Sequence, residues 1–175
     1  MKQARVHQYM IDNAVSDYKA YRAFTIRLDG LPLDLLVIVG KPEADTFMEK
    51  MRAMMVARFT DLNDKDMKKH MKSLHRILKH GSYATAETYG CGRLQVVRLT
   101  DEPTTPSAIG YLVHELLHVV NDFSEYIGYK HEYENDEPAC YLIDALTTYV
   151  LCVMEALRGK GNCFNIKDTG NRNSQ

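Results

Sequence analysis

The hydrophobic pattern of the N-terminal half begins with segments of strand character. Residues 22–28 alternate weakly between apolar and polar side chains, and residues 33–39 form a compact apolar run. An Asp-Gly turn signal lies between them, so the pattern predicts two strands paired as a hairpin, the second a buried central strand. Residues 82–100 then predict a strand, a glycine-marked turn and another strand, 93–99.

Apolar residues at helical spacing separate these two strand pairs. Pro42 suits the first turn of a helix that we expect to run to about Phe59. A second helix begins at about Asn63 and ends before Gly81. The residues expected to face inward are Phe47, Met48, Met51, Met54 and Met55 in the first helix, and Met67, Met71, Leu74, Ile77 and Leu78 in the second.

Two longer helices are predicted in the C-terminal half. Thr105 followed by proline is an N-cap signal, and Gly128 is a stop signal, so one helix lies between them. The other helix is capped by Asn135 or Asp136 and ends at Gly159. The loop between the two helices is polar and acidic.

These elements predict one α+β domain over residues 1–159, with a small mixed sheet and about four helices in an α/β-like arrangement. A chain of 175 residues is long enough for one domain with a sizeable core. Residues 160–175 are rich in Gly, Asn, Lys and Ser, which favours a flexible tail. We find neither an internal repeat nor a second domain.

Composition and charge narrow the possible partners. The net charge is −1, and hydrophobic residues make up 45% of the chain, as in an ordinary globular protein. This balance predicts binding to neither nucleic acid nor an anionic membrane. With neither a signal peptide nor a transmembrane segment evident, and four cysteines without a CxxC pair, we expect a protein of the reducing cytoplasm.

The helix predicted at 64–79 has one strongly basic face. Its polar positions are occupied by Lys65, Lys68, Lys69, Lys72, Arg76 and Lys79. This face is either a binding surface for an anionic partner or the solvated side of an amphipathic helix. The near-neutral charge of the whole chain favours the solvated face.

The candidate chemistry lies in the helix after Thr105, where the sequence reads His114-Glu115-Leu-Leu-His118, an HExxH motif. Histidines at i and i+4 share one helix face, about 40° apart in projection, so both rings can reach one zinc ion. Glu115 lies at the adjacent edge, where a carboxylate can take a proton from a metal-bound water. The alternative is a pair of core histidines hydrogen-bonded to carboxylates, since their neighbours are largely apolar.

A catalytic zinc needs a third protein ligand and one open position. The downstream candidates are Glu125, His131, Glu132, Glu134, Asp136 and Glu137. Eighteen residues separate His118 from Glu137, and this HExxH-x18-E arrangement resembles the gluzincin peptidases. The resemblance implies that Glu137, at the start of the following helix, is the third ligand.

The face of that following helix carries further candidates. Glu137, Tyr141, Asp144 and Thr148 share one side of an otherwise apolar helix. The stripe either faces a metal site or faces solvent. In the first case Asp144 would orient a ligand histidine from behind, and Tyr141 would donate to a substrate oxyanion. Gluzincins of the thermolysin type commonly have an acidic residue at the place of Tyr141.

A second resemblance spans roughly residues 22–157. The HELLH and D-E-x-x-x-Y-L segments are similar to small HExxH proteins encoded by tailed bacteriophages and prophages. This likeness implies a zinc metallopeptidase that cleaves a peptide or protein substrate, in the host cytoplasm if phage-encoded, with a virion or host protein as partner. The rival hypothesis is a non-enzymatic phage assembly or interaction protein with a structural or vestigial zinc site. The resemblance to zinc peptidases also implies an edge strand that pairs with an extended substrate, so residues 93–99 are either that strand or an ordinary sheet strand.

Overall fold

The computed structural model describes residues 5–7, 21–28, 30–40, 47–49, 52, 64–79, 86–91, 93–130 and 135–158. The predicted C-terminal tail, the turn at residue 92 and most of the helix expected from Pro42 to Phe59 lie outside these residues. Residues 47–49 and 52 are helical, and Phe47 is buried as expected.

Five strands form one mixed sheet in the order β1-β2-β3-β5-β4. The strands are β1 (Arg5–His7), β2 (Tyr21–Arg27), β3 (Asp34–Gly40), β4 (Ala86–Cys91) and β5 (Leu94–Leu99). Strands β2 and β3 pair antiparallel, as do β4 and β5, which confirms both predicted strand pairs. Strands β3 and β5 are parallel, and β3 is the buried central strand that its continuous apolar run predicted.

Helices cover both faces of the sheet, and each face has its own core. Alternate residues of β3 point to opposite sides, because side chains alternate along a strand. Leu35 and Val37 pack with the two C-terminal helices, α2 (Pro106–Tyr126) and α3 (Glu137–Leu157). Leu36 and Ile38 pack with α1 (Asp64–Lys79). This three-layer arrangement confirms the predicted α+β class.

The buried end of β3 carries an ion cluster that we assign to structure. Asp34 is 1% exposed, and its carboxylate accepts from Arg27 Nε at 2.5 Å and from Arg93 Nη2 at 3.1 Å. The hydrogen bond to Asp34 raises the pKa of Arg27, against the lowering effect of burial. These contacts tie β2, β3 and the start of β5 together.

Helix α1 is anchored to the sheet by its apolar face and by one buried cation. Met67, Leu74 and Leu78 are buried in the second core. Arg98 of β5, only 3% exposed, donates from Nη1 to the carbonyl of Ile77 at 3.1 Å. The apolar face of α1 is therefore fully used inside the protein.

Helix α2 begins and ends where the sequence predicted. The Thr105 side chain accepts from the amide of Ala108 at 3.2 Å, and Pro106 occupies the first helical position. At the other end, Gly128 has a φ of 74° and donates to the carbonyl of Glu125. The backbone amide of Tyr129 donates to the carbonyl of Ser124, which completes a Schellman motif.

Two glycines of this region should respond oppositely to replacement by alanine. Gly110 lies inside α2, and a Cβ built there meets nothing within 4 Å, so Gly110→Ala should stabilise the fold by about 0.5–1 kcal/mol. Gly128 has a left-handed backbone that alanine adopts poorly, so Gly128→Ala should destabilise it by about 1–2 kcal/mol. Urea unfolding midpoints at constant m-value measure both effects. Destabilisation by Gly110→Ala would show that the space around Gly110 is not open.

Helix α3 is apolar and only partly buried. Its buried residues are Leu146, Tyr149, Val150, Val153 and Met154, which pack against the sheet and α2. The helix begins at Glu137 and ends at Leu157, two residues before the predicted stop. By length and composition it could cross a membrane, although the core helix of a soluble protein passes the same test.

The structure decides between the two roles left open for residues 93–99 and adds one strand. Residues 93–99 were a candidate edge strand, but β5 pairs with β3 on one side and β4 on the other, so it is an interior strand. Among the described strands the edge beside β5 is β4. Strand β1, which pairs with β2, was not predicted, because a segment of three residues is too short to show a hydrophobic period.

Candidate metal centre on helix α2

His114 and His118 converge on a single point beside α2. Their Nε2 atoms are 3.2 Å apart, and their rings meet edge to face with centroids 4.9 Å apart. The i,i+4 spacing places the two side chains one turn apart on the same face. Both histidines therefore present the same ring nitrogen to one place.

This distance is close to the one that a shared zinc ion requires. Zinc binds histidine nitrogen at about 2.0–2.1 Å in tetrahedral geometry, so two nitrogens on one ion lie roughly 3.3–3.4 Å apart. The two Nε2 atoms are already within a few tenths of an ångström of that separation. This separation fits two ligand positions of a tetrahedral site, and it is also the length of one N–H···N hydrogen bond between the rings.

Both histidines are exposed, which excludes the alternative of satisfied core residues. The buried side of α2 is formed instead by Leu112, Leu116, Val119, Val120 and Phe123. Some of the apolar residues around the motif are therefore buried on this side of the helix, and others are exposed at the surface. The histidine pair is therefore open to solvent and to a ligand.

The surface next to the histidine pair is apolar and open. Tyr111 and Leu117 are 47% and 43% exposed, although side chains of this size are usually buried. Gly110 lies one turn before His114, and there is free space around it. These residues therefore form an accessible, largely apolar surface beside the histidine pair.

Glu115 follows His114 directly and is half-buried. On a helix the next residue is turned by about 100°, so Glu115 lies to one side of the histidine pair and does not point with it. It is a neighbouring carboxylate by position, as the motif predicts.

Asp122 belongs to the same face and was missed in the sequence. It lies one turn after His118, and helical side chains lean toward the N-terminus, which brings its carboxylate toward that ring. The pKa of Asp122 is raised, chiefly by partial burial. The nearby charge of His118 lowers this pKa, and the charge of Glu125 raises it further. The i+4 spacing from His118 was the available signal. Asp122 is thus a better candidate than Asp144 to orient a ligand histidine.

The other predicted site residues all lie on the exposed side of α3. Glu137, Asp144 and Tyr141 face solvent, and Tyr141 is 69% exposed. Within the described part of the chain, no three His, Cys, Asp or Glu side chains form a metal-binding group. The structure thus brings together His114 and His118 and leaves Glu137 outside a group with them. His131, Glu132 and Glu134 lie outside the described residues.

A side-chain contact joins the described ends of the loop between α2 and α3. Tyr129, just after Gly128, donates its hydroxyl to the backbone carbonyl of Asn135. This bond joins the two ends of the segment that contains residues 131–134.

The edge of the sheet lies beside the helix that bears the motif. Strand β4 contacts α2 and has β5 on its inner side only, among the described strands. An edge strand presents backbone donors and acceptors that can pair with an extended peptide. The structure therefore places the candidate pairing edge at Ala86–Cys91, and not at 93–99.

No protein-family model, curated protein or solved structure matches this chain. The resemblance to gluzincin peptidases and to phage-encoded HExxH proteins therefore stays a prediction.

Proposed function

We propose that this protein is a zinc-dependent hydrolase that cleaves peptide bonds at the histidine pair of α2. The observation that carries the proposal is the 3.2 Å separation of the His114 and His118 Nε2 atoms on an exposed helix face. A metal ligand pair needs this convergence, and a direct N–H···N hydrogen bond between the two rings has the same separation. Zinc binding distinguishes the two.

His114 and His118 hold the metal in this proposal, and a carboxylate supplies the third protein ligand. When bound, zinc would act as a Lewis acid that brings the pKa of a coordinated water to near 7. Glu115 would accept a proton from the attacking water and return it to the leaving amine. Asp122 holds the ring of His118 in the orientation that keeps Nε2 directed at the metal.

The substrate class follows from the surface around the pair. The outer edge of β4 can add an extended peptide as a further strand, and α2 lies beside that edge. Tyr111 and Leu117 border the histidines and favour apolar side chains next to the cleaved bond. We therefore propose an extended, apolar segment of a peptide or protein as the substrate.

The third ligand is expected to be Glu137. Glu137→Ala should weaken zinc binding by at least about tenfold, because it removes a charged ligand from the metal. Glu134→Ala is the matched control, since it removes a carboxylate three residues earlier, and it should change the affinity little. Competition with a zinc-sensitive dye measures both variants. A larger loss of zinc affinity in Glu134→Ala than in Glu137→Ala would reject the gluzincin arrangement and place the third ligand in the loop.

Zinc dependence of cleavage tests the proposal as a whole. A peptide library rich in apolar residues is incubated with the wild-type chain before and after removal of metal by a chelator. We expect cleavage that is lost with the chelator and restored by about one equivalent of zinc per chain. Binding of zinc without any cleavage of the library would instead support the non-enzymatic hypothesis, with zinc in a structural role.

A further inference from the structure

Helix α1 carries a basic stripe on the side of the protein opposite the histidine pair. We define this stripe as Lys68, Lys69, Lys72 and Arg76, all of them exposed. Their spacing of one, three and four residues places them within about 100° on one helix face. The stripe is roughly 12 Å long, since a helix rises 1.5 Å per residue.

The positive charge is concentrated in α1, although the whole chain is nearly neutral. Helix α1 contains six basic and two acidic residues, a net charge of +4, so the remaining chain carries −5. Both acidic residues of α1 lie in its first turn, and residues 67–79 contain none. The small net charge of the chain therefore hides a strongly basic surface.

The stripe destabilises the helix that carries it. Lys72 is one turn from Lys68, Lys69 and Arg76, and like charges at these spacings repel each other. A solvated helix face is usually stabilised by alternating signs, with glutamate one turn from lysine. A local arrangement that opposes stability without a structural benefit points to a functional demand.

The chemistry of α1 restricts the partner. Its apolar face is buried against the sheet, so the helix cannot insert into a membrane. It contains no Tyr, Phe or Trp on which single-stranded bases could stack. Over about 12 Å a nucleic acid duplex presents roughly seven phosphate charges, which four cations can contact without reading bases.

We propose that the basic stripe binds the phosphate backbone of a nucleic acid duplex without sequence preference. The binding is independent of the histidine pair, because α1 and α2 cover opposite faces of the sheet. The prediction of no nucleic-acid partner rested on total charge, which does not report how the charge is distributed.

The test measures binding of a labelled 20-base-pair duplex to the full chain by fluorescence anisotropy. With four phosphate contacts the affinity should fall roughly 150-fold between 50 and 200 mM salt. Lys72→Glu should weaken binding and lower the salt slope by at least about 1. Lys130→Glu, a charge reversal at an exposed lysine outside α1, is the control and should leave the slope unchanged. An equal loss of DNA affinity in Lys72→Glu and Lys130→Glu would overturn the proposal. Tighter binding to polyglutamate or to phosphatidylserine vesicles than to DNA would also overturn it.

The melting temperatures of two Lys72 variants test the charge repulsion within the stripe separately. Lys72→Glu turns three repulsive pairs into attractive ones and should raise the melting temperature by roughly 2–4 °C. Lys72→Gln removes the charge without reversing it and should give a smaller rise. A fall in melting temperature for both variants would show that Lys72 has a stabilising contact, and the functional explanation of the stripe would fail.

Discussion

Replacement of either histidine of the pair by alanine should abolish tight zinc binding. The two Nε2 atoms are 3.2 Å apart and provide two of the ligands of the proposed site. Loss of a residue that only orients a ligand weakens metal binding by about 10–100-fold. Loss of a ligand itself should therefore weaken it by more than about 100-fold for both His114→Ala and His118→Ala.

The measurement is competition of each variant with a zinc-sensitive dye. His75→Ala is the control, since His75 lies on α1 and takes no part in the site. Zinc at 100 times its dissociation constant should also stabilise the wild-type fold by about 2.7 kcal/mol, and the histidine variants should lose this effect. Unchanged affinity in His114→Ala and His118→Ala would refute the proposed centre.

Glu115→Gln should abolish hydrolysis and keep the metal. The substitution retains the size of the side chain but removes the carboxylate that accepts a proton, and loss of a general base typically reduces the rate by about 100-fold or more. Glu115 is not a ligand in this account, so zinc affinity and melting temperature should stay near wild type. Kinetics on any peptide identified in the library measure the rate.

Glu125→Gln is the matched control for this variant. Glu125 is an exposed glutamate on the same helix, ten residues further along, and its replacement should leave the rate within a factor of two or so of wild type, as for a surface substitution. Loss of zinc or unfolding in Glu115→Gln would assign Glu115 a structural role and favour the non-enzymatic hypothesis.

The elements of this fold were predictable where local chemistry determines them. Thr105 and Gly128 delimit α2 because a side-chain acceptor and a left-handed glycine satisfy the open ends of a helix. The continuous apolar run of β3 indicated a strand covered on both faces, and the sheet places it centrally. The histidine pair was predicted because i,i+4 spacing alone brings two rings together.

Other features depend on tertiary structure and could not be read from the sequence. Whether β4 or β5 forms the edge depends on the parallel pairing of β3 with β5, two segments about 60 residues apart. The exposure of His114 and His118 was unexpected because apolar residues surround them in sequence, and only the packed helix shows which of these are buried. Asp122 was not predicted, although its i,i+4 spacing from His118 places it on the same helix face.

Anomalous scattering at the zinc absorption edge, from a crystal of the wild-type protein grown with zinc, tests the central claim most directly. The account predicts one peak per chain within about 2.0–2.1 Å of both Nε2 atoms of His114 and His118. It also predicts a carboxylate oxygen at similar distance and one position open to solvent. The absence of a zinc peak between these histidines, or a peak only elsewhere in the chain, would contradict it.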